Sequence, residues 1–237
     1  MTGPDHWFEP LADHLGAAYL RYSFTKGTEQ EVAFLVDALG LTPGLRVLDV
    51  GCGPGRHAHA MAARGIASHG IDISQRFVDL ATANAPAGAT FERLDARTLA
   101  FDQEFDAAIS LCQGAFGLLS SDEDTVAVLA GMARAIRPGG RIAISAFSAY
   151  FSVKYQTAAD FDATTGVAHE HTELRDEQGV VAPAELWTTC FTPRELRLLA
   201  GTVGLTVDGV WSVEPGSYAR VSPTLETAEF LLLAHRP

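Results

Sequence analysis

Apolar positions along this chain keep switching between two periods. Short segments rich in β-branched and apolar residues, at 46–50, 68–73, 90–94, 105–111, 141–146, 205–213 and 230–234, predict strands. The stretches between them carry helical spacing. Val32, Leu35, Val36 and Leu39 form one face after Thr28, an expected N-cap, and Gly40 ends that helix. A helix is expected over 57–64, stopped by Gly65. Ser74 caps another with Phe77, Val78, Leu80 and Ala81 inward, and Ser121 caps a long one carrying Val126, Leu129, Met132 and Ile136. The long helix stops at Arg137-Pro138-Gly139-Gly140, and a last helix starts with Thr192 at N-cap and Pro193 at N1. Leu11, Leu15, Ala18 and Tyr22 place one or two short helices at the N-terminus.

This rhythm predicts a single α/β domain over 1–237, its strands hydrophobic on both faces as in a sheet covered by helices. Residues 1–27 read as cap helices. Residues 147–190 break the alternation: they are polar, hold Gly166 and Gly179, and alternate over 168–174 and 184–190. They are expected to form a helix and then a hairpin-like excursion off the sheet on the substrate side. The last two strands are expected to be antiparallel to each other.

Composition narrows the function classes. No apolar span long enough for a membrane occurs, and no basic-then-apolar leader opens the chain, so neither an anchor nor a signal peptide is expected. Three scattered cysteines suit a reducing cytoplasm better than a disulfide framework. The net charge of −12, with 17 dispersed Lys and Arg, argues against nucleic acid. A small-molecule substrate remains, and oligomeric state is not set by the sequence.

The chemistry is concentrated after the first strand, in Asp49-Val50-Gly51-Cys52-Gly53-Pro54-Gly55-Arg56. Strand, glycine turn and helix in that order present backbone N–H groups to a nucleotide-type ligand. A dinucleotide fingerprint needs its third glycine at position 56, where Arg56 stands, and no Gly-Lys-Ser/Thr follows for a phosphate-cradling loop. Asp72 closes the second strand 21 residues after Gly51, where a carboxylate can accept ribose hydroxyls.

With Asp95 past the third strand, Asp106 opening the fourth, the Arg137–Gly140 turn, the 191–196 helix start and the closing 229–235 strand, this set resembles class I S-adenosylmethionine-dependent methyltransferases. The resemblance covers 28–146 and 190–236. It implies a doubly wound, mostly parallel seven-stranded sheet of order 3-2-1-4-5-7-6 with one antiparallel strand, N-terminal helices and a small insertion after the fifth strand. It also implies S-adenosyl-L-methionine as cofactor and S-adenosyl-L-homocysteine as product. Asp49 would then orient the loop and face the sulfonium or amino end. Gly51, Cys52, Gly53 and Gly55 would run along the methionine and ribose, Asp72 and Ile73 would hold the ribose and an adenine face, and Asp95 and Ala96 would meet the adenine edge. Leu111, Cys112 and Gln113 would line the methyl-donor end.

The fourth-strand end reads Ser110-Leu111-Cys112-Gln113, without the Pro-Pro-aromatic motif of base amino-methylation or the Pro-Cys of cytosine-C5 attack. No acidic set suggests a catechol-type metal site, and no metal is expected. This leaves methyl transfer by in-line displacement to N or O of a small acceptor, where positioning supplies most of the rate. The alternative is a protein of this fold that binds the cofactor without transferring methyl. His169 and His171, sharing a face if their segment is a strand, are the expected general bases. Tyr19, Tyr22, Tyr155 and Trp187 are candidate walls for an apolar acceptor.

Overall fold

The computed structural model describes residues 6–112, 114–118 and 121–237. Five parallel strands run in the order β3-β2-β1-β4-β5: β1 (Arg46–Val50), β2 (Ala67–Asp72), β3 (Ala89–Arg93), β4 (Phe105–Ser110) and β5 (Ile136–Ser148). The final strand β10 (Glu229–His235) lies antiparallel between β5 and β9 (Thr206–Val213). These seven strands give the expected order, with β10 as the reversed strand. Residues 214–228 join β9 to β10 without forming a helix, and the two strands pair antiparallel.

Apolar clusters cover both faces. Helix α2 (Thr28–Leu39) and α3 (Arg56–Ala62) bury Val32, Leu35 and Met61 against one face. Helices α5 (Asp122–Ala135) and α7 (Pro193–Thr202) bury Leu129, Met132 and Leu196 against the other. Ile142, Ala143, Ile144 and Ala146 of β5 are fully buried, which explains why that strand reads as an unbroken apolar run.

The helix caps follow the sequence closely. Ser74 accepts from Phe77 N ahead of α4 (Gln75–Ala83), Ser121 accepts from Asp124 N, and Thr192 with Glu195 closes a capping box on α7. Thr28 differs: Gly27 holds the N-cap position and the Thr28 hydroxyl donates to Thr25 O. The expected strand 141–146 is also longer. Gly139 N donates to Arg236 O and Arg236 N to Gly140 O, so the Pro-Gly-Gly turn is itself drawn into the ladder.

Beyond β5 the chain forms α6 (Ala149–Tyr155) and three antiparallel strands, β6 (Asp160–Asp162), β7 (Val167–Arg175) and β8 (Val181–Phe191). β8 returns to the main sheet only at its end, where Cys190 and Phe191 pair with Phe147 and Ser148. The β7–β8 hairpin leans on the N-terminal segment, α1 (Phe8–Leu15) and the 3-10 turn Gly16–Arg21. Glu177 at the hairpin tip accepts from Ala17 N (2.6 Å) and Arg76 (2.8 Å), Arg21 donates to Asp176 O, and His14 Nε2 lies 3.2 Å from Leu174 O. Two segments distant in sequence thus meet over the carboxyl ends of β1 and β4. No helix among the described residues is long and apolar enough to cross a membrane.

Candidate functional site

β1 is flanked by β2 and β4, so the chain departs from it in opposite directions and leaves a crevice beyond its carboxyl end. Gly51 opens the loop there with φ 71°. A Cβ on it would collide with the backbone of Gly114 and Ala115 from the loop after β4, so only glycine lets these two loops touch. Gly55 (φ 83°) ends the loop, packed under Ala81 and Phe91, and delivers the chain into α3. Gly51 N and Cys52 N both donate to Ile71 O, tying the loop to β2.

Asp72 at the end of β2 is buried and braces this loop: Oδ2 accepts from Gly53 N (2.8 Å) and Oδ1 from Ser74 N (2.9 Å). Burial pushes its carboxyl up to about 6, against the pull of those N–H groups. Each carboxylate oxygen keeps a second lone pair for a ligand. Asp49 lies behind the loop, 1% exposed, and its Oδ2 has no hydrogen-bond partner. Burial, reinforced by Asp72 and opposed by Arg56, moves it up to about 7. An orphaned buried carboxylate oxygen at this place fits a cationic ligand group.

Asp95 lines the same crevice with Ile73 and Ala96, but its two oxygens are taken by Arg97, through its backbone N, Nε and Nη2 at 2.6–3.0 Å. Burial works against ionisation, yet these bonds hold the carboxyl below its ordinary value. What Asp95 offers a ligand while Arg97 stays is therefore backbone. Arg97 was not among the expected site residues, and only the fold shows the competition.

Two cavities adjoin here, with Phe8, Gly51, Asp72, Gly114 and Leu118 as common walls. One runs past Ile73, Asp95 and Ala96. The other encloses about 210 Å³ and is walled by Trp7, Phe8, Tyr19, Tyr22, Phe24 and Phe77 with Leu174, Leu186 and Thr188. Tyr19 and Tyr22 stand where an apolar acceptor wall was expected; Tyr155 packs instead on Phe151, half exposed, outside that lining. Cys112 enters the same cavity in a left-handed conformation (φ 51°), its N donating to Ser145 Oγ and its Sγ 2.6 Å from Arg56 Nη2. Burial pushes its thiol up. Leu111 is buried just before it. Gln113 lies outside the described residues.

Beneath the loop, Glu31 is fully buried between Arg56 (2.6 Å) and His57 (2.8 Å). Burial opposes its charge, but the two partners bring it down to about 2, and His57 is pushed down to about 4 by its own burial. This group fixes α2 to α3 and thereby the loop.

The hairpin's pleat puts the two expected bases on the face away from this cavity. β7 pairs with β8 in the register Ala168↔Thr188, Glu170↔Leu186 and Leu174↔Ala182, and the cavity-lining residues all lie on that face. His169 pairs with Trp187 and His171 with Glu185 on the opposite face, so neither histidine lines the cavity. Alternation placed the two together; it did not say which way they point.

A family model described as a methyltransferase domain matches residues 47–140. A cypemycin N-terminal methyltransferase from a Streptomyces species is 30% identical over 216 residues, spanning 81% of this chain and 84% of that protein. The CcbJ methyltransferase from Streptomyces caelestis shares the fold with a TM-score of 0.75 at 18% identity, over 98% of this chain and 97% of its own. CalS10 from Micromonospora echinaspora, an amino pentose methyltransferase solved with S-adenosylmethionine bound, gives a TM-score of 0.67 at 22% identity, over 93% and 95%.

Proposed function

The chain belongs to the S-adenosylmethionine-dependent methyltransferases of the class I Rossmann-like fold, and from that premise we propose that it methylates a small, largely apolar molecule, at nitrogen in preference to oxygen. The observation that carries this reading is a crevice at the carboxylate-bearing strand ends that shares its walls with an aromatic chamber. S-adenosylmethionine supplies an electrophilic methyl group on a sulfonium that is already a good leaving group. Asp72 would accept the ribose hydroxyls on the lone pairs that Gly53 and Ser74 leave free. Asp49 would turn its unpartnered oxygen to the cationic amino end, and Gly51 and Gly53 would offer backbone along the methionine. Cys112 and Leu111 would close the boundary between the two cavities.

On the acceptor side, the polar side chains among the described lining residues are Tyr19, Tyr22, Cys112 and Thr188, with Asp72 at the boundary. No histidine stands there among them. Such a wall orients an incoming nucleophile and excludes water, and it suits an amine that arrives as the free base, which needs no general base to attack. The names of two similar proteins, an N-terminal methyltransferase and an amino pentose methyltransferase, agree with an amine-bearing acceptor. A chamber of about 210 Å³ favours a small group over a folded protein surface.

The test is twofold. Calorimetry with S-adenosylmethionine, S-adenosylhomocysteine and NAD should give micromolar binding for the first two only. A panel of hydrophobic amines and phenols with methyl-deuterated cofactor should then yield labelled product from amines first. Labelled phenols with no labelled amine would overturn the nitrogen preference, and cofactor consumption without a methylated product would overturn transfer.

A further inference from the structure

The face of the β7–β8 hairpin turned away from the cavity carries a second constellation. His169 and His171 sit two apart on β7, ring centroids 4.6 Å from each other, and Glu185 comes from β8 directly opposite His171. Its carboxylate lies between the two rings: Oε2 is 3.5 Å from His169 Nε2 and Oε1 3.6 Å from His171 Nδ1. One atom from each residue falls within 4.8 Å of the other two.

These separations are too long for good hydrogen bonds, which close to about 2.7–3.2 Å. They match the spacing between ligands around a tetrahedral ion with bonds of about 2.0–2.1 Å, which is about 3.3 Å. His169 Nε2 is buried and has no hydrogen-bond partner, while its ring is fixed by a parallel stack on Trp187 at 4.6 Å and 8°. An orphaned imidazole nitrogen, held by stacking and aimed at a shared carboxylate, is a donor set waiting for a third party. Asp160 of β6 pairs with His169 and adds negative charge on the same face, in a chain of net charge −12.

We infer that His169, His171 and Glu185 bind a borderline divalent transition-metal ion, with zinc the natural occupant, leaving the remaining coordination position to water. Two imidazoles and one carboxylate are the ligand types such an ion takes, and they exclude a calcium- or magnesium-type site, which needs oxygen donors. The ion cross-links β7 to β8 behind the wall formed by Leu174, Leu186 and Thr188. The site is independent of methyl transfer.

The experiment uses the full chain stripped of metal and titrated with cobalt(II), read by visible absorption, and with zinc in competition with a chromophoric chelator. The wild-type chain should take up one equivalent with micromolar affinity, and zinc should raise its melting temperature. H171A and E185Q, both at exposed positions, should each weaken binding by at least about tenfold, the smallest effect seen for losing even an outer partner of a metal ligand. H169A tests the buried donor, and H171A and E185Q stand should its loss disturb the stack. Affinity that is equal in wild type and the H171A/E185Q double variant, or absent in the wild type at millimolar metal, overturns the site.

Discussion

Asp72→Asn separates cofactor binding from stability in this fold. The wild-type carboxylate is 5% exposed and accepts from the backbone N–H groups of Gly53 and Ser74, at 2.8 and 2.9 Å. Carrying its pKa from 3.8 to about 6 costs the ionised form about 3 kcal/mol. The sign is set by where the proton sits. The unfolded carboxyl loses it near 3.8 and the folded one keeps it until about 6, so stability is greatest below about 4 and is lost as pH rises to about 6. Asparagine removes this penalty but turns an NH2 toward one of the two N–H donors, which returns about 1–3 kcal/mol. The two nearly cancel, so the melting temperature of Asp72→Asn should stay close to wild type at pH 7 and fall less than wild type as pH rises from 4 to 6. Cofactor affinity should nevertheless fall by about 10- to 150-fold, the equivalent of about 1.5–3 kcal/mol for charge-assisted hydrogen bonds. Paired calorimetry and thermal melts measure both. An intact fold with unchanged affinity for S-adenosylhomocysteine would refute the ribose role of Asp72.

Asp49, held up to about 7, must ionise to meet a cationic group, so S-adenosylmethionine binding should release more protons at pH 6 than at pH 8. Titrations in buffers of different ionisation enthalpy should show a larger release in the wild type than in Asp49→Asn, which keeps only the Asp72 share. Glu31→Ala leaves Arg56 and His57 buried without their carboxylate and should cost about 3–5 kcal/mol by denaturant unfolding. In the wild type, His57 is kept neutral down to about 4 and Glu31 ionised down to about 2. Both effects remove stability as pH falls, His57 between about 6.5 and 4 and Glu31 between about 4.5 and 2, which an acid unfolding curve records. Leu186→Trp fills the aromatic-walled chamber from the hairpin and should raise the acceptor's KM while leaving cofactor affinity unchanged, as steady-state kinetics and calorimetry would show.

The features legible in the sequence are those fixed by local chemistry. Ser74, Ser121 and Thr192 announce their helices because a cap is satisfied within one turn. The Gly51–Gly55 loop and Asp72 are legible because the loop and strand end are short-range features whose spacing the parallel β1–β2 register enforces. What stayed hidden depends on contacts between distant segments. Trp7 donates to Leu118 O across 111 positions, and no pattern near either residue encodes that the N-terminus roofs the crevice. His169 and His171 illustrate the limit of a period-two argument: alternation fixes that they share a face, whereas the folded hairpin, with Leu174 and Leu186 lining the chamber, decides that this face is turned away from it. Glu185 joins them only through the strand pairing, which is why the pair showed no third ligand in the sequence.

The most direct test of the account is a crystal structure of the full chain with S-adenosylhomocysteine. The account predicts the ribose on the Asp72 carboxylate and the amino group toward Asp49, with the sulfur opening into the chamber lined by Tyr19, Tyr22 and Leu186. A ligand seated elsewhere, or a sulfur turned away from that chamber with the chamber still closed off, would contradict it.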